Sequence, residues 1–199
     1  MAVRIAVLAS GGGTNLQAII DFMAARGALA AGRVVLVASN RQNAGALDRA
    51  RTASISAEAF DASDDGSSLL SLLEKHAVGL VVLAGYLRHI PSQVIRTYHR
   101  RIINVHPGLL PDFGGPGMYG GKVHAAVIAA GARSTGVTAH FVDDELDHGP
   151  RIAEWRIPVM EDDTPESLAT RVLRVEHLVY PRVVDMVAAL NDSNYFADF

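Results

Sequence analysis

Gly79-Leu80-Val81-Val82-Leu83-Ala84 carries no polar side chain at any position. A strand with one wet face alternates apolar and polar residues. A run that is apolar on both faces belongs to a parallel sheet covered by helices on either side. Mainly apolar segments at 3–9, 34–38 and 102–105 read as further strands, with a third short strand at 55–60. Between them the apolar spacing turns helical. Leu16, Ile19, Ile20 and Met23 predict a helix over 15–25; Leu69, Leu70, Leu72 and Leu73 predict one over 67–76. Further helices are read near 44–52 and 91–98. Strands alternating with helices predict an α/β chain with an open, mostly parallel twisted sheet, helices on both faces, in the Rossmann-like manner.

The rhythm changes after residue 105. Residues 107–121 are rich in glycine and proline and read as a long functional loop. A helix follows over 123–130, then strands over 135–142 and 151–159, one of them a late antiparallel strand. Thr164 is placed to cap a helix whose first residue is Pro165. That helix should run toward Tyr180, resume after Pro181 and end near 190, leaving 191–199 as a tail. No repeat or linker interrupts the 199 residues, which read as one domain, 1–199.

Composition narrows the function. Net charge is −3, so no bulk basic field recruits nucleic acid. The absence of cysteine excludes disulfides, thiolate metal sites and cysteine nucleophiles, and fits a cytoplasmic location. The first strand begins at Val3 without the pattern of a signal peptide, and no apolar run reaches the length of a membrane span. Monomer and homodimer are both compatible with this composition.

Ile103-Asn104-Val105-His106-Pro107-Gly108-Leu109-Leu110-Pro111 carries the chemistry. Residues i and i+2 of a strand share a face, so Asn104 and His106 aim at one spot, and Pro107 ends the ladder. Asp144-Glu145-Leu146-Asp147-His148-Gly149-Pro150, some forty residues on, offers a carboxylate to orient the imidazole. An amide donor, a titratable base and an acid suit acyl-type transfer, in which an oxyanion forms and a proton moves. The competing reading is a buried structural histidine beside ordinary turns. A metal held by His106, His140, Asp147 or His148 is not expected, because no metal-ligand spacing such as His-Glu-x-x-His is present.

Gly11-Gly12-Gly13-Thr14-Asn15 joins the first strand to the first helix. Backbone N–H groups there suit a phosphate, or the loop is simply a tight turn. It is not a Walker loop, and Leu16 stands where a dinucleotide motif has its third glycine. Gly85-Tyr86-Leu87-Arg88-His89-Ile90 follows a strand at the edge where open sheets bind ligands, and can line a pocket for a flat heterocycle.

These segments together resemble the phosphoribosylglycinamide formyltransferases, folate-dependent enzymes of purine synthesis. The likeness runs from Ser10-Gly-Gly-Gly-Thr-Asn-Leu-Gln-Ala-Ile through Val82-Leu-Ala-Gly-Tyr-Leu-Arg and Asn104-Val-His-Pro-Gly-Leu-Leu-Pro to Asp144-Glu-Leu-Asp-His-Gly-Pro and Glu176-His-Leu-Val-Tyr-Pro. The resemblance implies that Asn104, His106 and Asp147 are the catalytic set. It implies that Gly12, Gly13, Thr14 and Asn15 hold the ribonucleotide phosphate and that Glu176 meets its ribose or glycinamide part. Leu87, Arg88, His89, Ile90, Asn104, Asp143, Asp144 and Asp147 would hold 10-formyltetrahydrofolate, the formyl donor, with no metal and small molecules as the only partners. Asp147 is then expected to raise the His106 pKa and favour the imidazolium. Two positions depart from the family pattern: Gly108 replaces a serine, and no arginine stands near residues 60–63 to meet the folate tail.

Rival readings share parts of this pattern. Formyltransferases acting on methionyl-tRNA or amino sugars carry an added C-terminal domain, for which this chain ends too soon. A formyltetrahydrofolate hydrolase usually carries an N-terminal regulatory domain, whereas the first strand here is expected to begin at Val3. A nucleotide-binding module or dehydrogenase would want an acidic residue after the second strand, where Ser39-Asn40 stand.

Overall fold

In the computed structural model, residues 2–191 are described. Seven strands form one sheet: β1 (Val3–Leu8), β2 (Gly32–Ser39), β3 (Ser56–Ala59), β4 (Leu80–Leu83), β5 (Ile102–His106), β6 (Ser134–Phe141) and β7 (Arg151–Pro158). Their order is β3-β2-β1-β4-β5-β6-β7, with β6 alone antiparallel to both its neighbours. The helices are α1 (Thr14–Arg26), α2 (Gly45–Thr52), α3 (Ser67–Lys75), α4 (Ser92–Thr97), α5 (Gly121–Ala129) and α6 (Pro165–Asn191). The sheet is thus the one that the apolar runs predict, and the 191–199 tail lies, after its first residue, outside the described residues.

Strand alternation divides the core in two. Ile5 and Val7 of β1 pack with Leu16 and Ile19 of α1, Leu47 of α2, Val127 of α5 and Tyr180 of α6. Ala6 and Leu8 point the other way, toward Leu69 and Leu73 of α3 and Val94 and Ile95 of α4. Both faces of the central strands are therefore dry, which is why their sequences show no alternation.

The sequence predicts a break in α6 at Pro181, but the helix continues through it. Proline removes one backbone donor, and a helix interior normally resists that. Here tertiary burial on both sides outweighs the loss. Tyr180, fully buried, donates its hydroxyl to the carbonyls of Leu83 and Ile103, and Val183, Val184, Val187 and Ala188 beyond the proline are all buried. The start of α6 is as expected: Thr164 Oγ1 accepts from the Ser167 N–H, and Ser167 Oγ accepts from the Thr164 N–H. Among the described residues no helix is long and apolar enough to cross a membrane.

Candidate active site

Strand order reverses between β1 and β4. In open parallel sheets a crevice opens at such a point, outside the carboxyl ends of the strands. The loop after β1, the segment 85–90 after β4 and the last residues of β5 all end on that edge. A cavity of about 920 Å³ lies there, lined in part by Asn104, His106, His140, Asp147 and Glu176.

Asn104 and His106 share a face of β5, as their spacing requires. The antiparallel register sets Asn104 opposite His140 and His106 opposite Thr138. The β6–β7 register slips between Ala139 and His140, a bulge at the residue that reaches the site. His140 Nδ1 donates to the Phe141 carbonyl at 2.8 Å, which fixes its tautomer. Its Nε2 then accepts from the Asn104 amide at 3.1 Å. The second Asn104 N–H is left for the cavity.

His106 donates Nε2–H to the Phe113 carbonyl at 2.7 Å, and its Nδ1 lies 3.4 Å from Asp147 Oδ2. Asp147 Oδ1 is 3.6 Å from His140 Nε2, and its Oδ2 accepts the Gly115 N–H at 3.0 Å. Asp147 sits at a φ of 56°, a left-handed conformation that aspartate tolerates better than most residues. Burial pushes its carboxyl up, but His140, His106 and the Gly115 N–H together outweigh that and hold it below the usual range.

The expected proton state of His106 is corrected by its surroundings. Asp147 and the Phe113 carbonyl do favour the imidazolium, but burial is larger and His140 adds to it, so the pKa falls below the ordinary value. At rest His106 is neutral. A negative charge developing beside Nδ1 would then be what draws a proton onto the ring.

The walls bring most of the remaining candidates together. Leu87, Arg88, His89, Ile90 and Asp143 line the same cavity. Leu87 and Leu146, on two different loops, are 54% and 48% exposed, an uncovered apolar pair of the kind a flat ring covers. Ser10 Oγ accepts the Leu87 N–H at 2.9 Å and donates to Asn40 at 2.7 Å, pinning the turn after β4. His89 Nε2 donates to the Asp144 carbonyl at 3.2 Å, tying the two loops. The Asp144 side chain is exposed and outside the lining; Gly12, Gly13 and Thr14 also lie outside it, with Gly13 half-buried. Those three form the approach to α1, whose first intrahelical bond runs from the Gln17 N–H to the Gly13 carbonyl. The amides before it are the unsatisfied donors of a helix start. Gly13 is required there: at φ 73° a Cβ would lie 2.8 Å from Ala46 Cα. The sequence reading gives no place to Asn40 and Arg41, which line the cavity together with His124, or to His140 as the residue that orients Asn104.

Asn15 and Glu176 meet across 161 residues: the Asn15 amide donates to Glu176 Oε2, and Asn15 Oδ1 has no partner among the described residues. Burial pushes the Glu176 carboxyl up to about 7, against the pull of Asn15. An acid whose folded pKa is raised binds its proton more tightly in the native state. Stability should therefore fall as pH rises from the unfolded value near 4.5 to about 7, by on the order of 3 kcal/mol, and stay level above that. Glu176→Gln should flatten this part of the profile. Thermal melts of both proteins at pH 5 and pH 8 check it: the variant gains relative to the parent at pH 8, and an equal difference at both pH values would refute the assignment.

Comparison with known proteins agrees with this geometry. The sequence profile of the family described as formyl transferase matches residues 3–184. The chain is 41% identical over 191 residues to the chloroplastic phosphoribosylglycinamide formyltransferase of Arabidopsis thaliana, covering 92% of this chain and 65% of that protein. It therefore spans slightly less than two thirds of the plant relative. Against the phosphoribosylglycinamide formyltransferase of Escherichia coli (strain K12) it is 38% identical over 192 residues, covering 94% of this chain and 87% of that one. The crystal structure of phosphoribosylglycinamide formyltransferase from Anaplasma phagocytophilum superposes with a TM-score of 0.86 at 34% identity, over 94% of this chain and 87% of that one.

Proposed function

The chain belongs to the formyl transferase family, and we propose that it transfers a formyl group from 10-formyltetrahydrofolate to the amine of 5'-phosphoribosylglycinamide, a step of purine biosynthesis. The observation that carries this reading is the convergence of Asn104, His106 and Asp147 on one cavity beside a phosphate-suited helix start. The folate donor, when bound, supplies a formyl carbon already activated for attack, so no metal is called for.

The chain's own residues then have separable tasks. Leu87, Arg88, His89 and Ile90, with Asp143 and Leu146 across the cavity, hold the donor's ring system. The helix start at Gly12, Gly13, Thr14 and Asn15 takes the phosphate of the ribonucleotide, and Glu176 meets its sugar or glycinamide part. Asn104 gives its free N–H to the formyl oxygen as that oxygen gains charge. His106, neutral at rest, takes up a proton from solvent at Nδ1 as that oxygen gains charge, and Asp147 stabilises the imidazolium once formed. His106 can then release its proton to the departing folate nitrogen. The whole reaction belongs to one domain working in the cytoplasm.

Steady-state assay with and without the ribonucleotide tests the reading. Deformylated folate should form only when 5'-phosphoribosylglycinamide is present. Equal rates without it would mean that water is the acceptor. Product with an amino sugar in its place would move the chain to another acceptor class.

A further inference from the structure

Three buried imidazoles line the cavity: His106, His124 and His140. Two of them are committed. His106 gives Nε2–H to Phe113 and turns Nδ1 to Asp147; His140 gives Nδ1–H to Phe141 and uses Nε2 for Asn104. His124, in the first turn of α5, is 3% exposed, yet neither ring nitrogen has a hydrogen-bond partner among the described residues, and Nδ1 is wholly shielded. An unpaired buried polar atom costs about 1–3 kcal/mol, so its retention calls for a reason.

Two carboxylates of the inner cavity each already accept one hydrogen bond. Asp147 holds the Gly115 N–H, and Glu176 holds Asn15. Val123, the neighbour of His124, packs over Gly108 so closely that a Cβ there would lie 2.8 Å from Val123 Cγ1 and 3.2 Å from His106 Nε2. The first turn of α5 thus lies directly against the reacting end of β5. Burial and the nearby His106 both hold the His124 imidazole in its neutral form, which keeps one lone pair free.

We propose that His124 is the base that takes the proton from the attacking amine. This rests on the transfer reading above. Attack forms a bond from the amine nitrogen to the formyl carbon and leaves that nitrogen with a positive charge and one proton too many. His124, with its hydrogen on Nδ1, accepts that proton at Nε2. The bond from the formyl carbon to the folate nitrogen then breaks, and the leaving nitrogen takes its proton from charged His106. Both imidazoles are charged only in the intermediate, where the oxyanion and Asp147, 3.4 Å from His106 Nδ1, offset them. Return of the His124 proton to solvent and uptake of one by His106 complete the cycle.

Steady-state kinetics of His124→Ala and His124→Gln, with added imidazole, test this. The parent protein must first form product that depends on the ribonucleotide; if it does not, the transfer reading fails before this one is reached. Given that activity, kcat of both variants should fall about 100-fold or more, the KM for the ribonucleotide should stay within a few-fold, and imidazole should restore part of the activity of His124→Ala. A kcat within about threefold of the parent, a loss confined to KM, or no recovery with imidazole would each overturn the assignment. Should His124→Ala not fold, the size-matched Gln variant decides through kcat alone.

Discussion

Asp147→Asn should lower kcat by about 100- to 1,000-fold while leaving the fold intact. The substitution removes one charge and little else. Asparagine tolerates the left-handed φ of 56° as readily as aspartate, and its side-chain oxygen can still accept the Gly115 N–H. What disappears is the anion 3.4 Å from His106 Nδ1. Burial already keeps that ring neutral at rest, and Asp147 is the strongest influence opposing it. Without the carboxylate, the imidazolium has only the Phe113 carbonyl to favour it, and the proton needed by the leaving nitrogen becomes harder to hold. Steady-state kinetics beside a thermal melt separate the two effects. Turnover close to the parent's, with an unchanged melting temperature, would remove Asp147 from the catalytic set.

The second large effect concerns the fold. Gly136 lies in β6 where a Cβ would stand 1.9 Å from the Trp155 carbonyl oxygen and 2.8 Å from Leu109 Cδ2. The first of these is backbone and cannot swing aside. Gly136→Ala must therefore push β6 away from β7 or from the segment after β5, and is expected to destabilise the protein by about 3 kcal/mol. For a chain of this size that is a fall of about 10 °C in melting temperature. Gly121→Ala is the matched control, since nothing lies within 4 Å of its Cβ position. It should shift the melting temperature by no more than a degree or two. Equal melting temperatures for the two variants would contradict the packing described for β6.

The parallel part of the sheet is legible in the sequence because its cause is local. Leu80–Leu83 must be dry on both faces, and only a doubly covered strand allows that. Asn104 and His106 are legible for the same reason, since a two-residue period is a property of one strand. Hidden in the sequence is what depends on pairing between distant segments. His140 orients Asn104 because β6 runs antiparallel to β5 in one register, with a bulge at that residue. The sequence offered His140 only as a conceivable metal ligand.

The charge state of His106 was misread for a related reason. A nearby acid can be picked from the sequence, whereas the burial that outweighs it is a sum over the whole cavity. Pro181 shows the same limit. Its missing N–H is evident in the sequence, but the anchoring of Tyr180 and the burial of Val183 and Val184 belong to the packed structure. The glycine-rich loop after β1 was open between phosphate binding and a plain turn. Its geometry is compatible with both, since Gly13 is needed for the close approach of α2 whatever binds in front of it.

The fate of the formyl carbon tests the central claim most directly. The protein is mixed with 10-formyltetrahydrofolate labelled with ¹³C in the formyl group and with 5'-phosphoribosylglycinamide, and the label is followed by NMR. A formamide carbon on the ribonucleotide is the result expected if Asn104, His106 and Asp147 direct transfer to the amine. Label recovered as free formate, with the ribonucleotide unmodified, would contradict it.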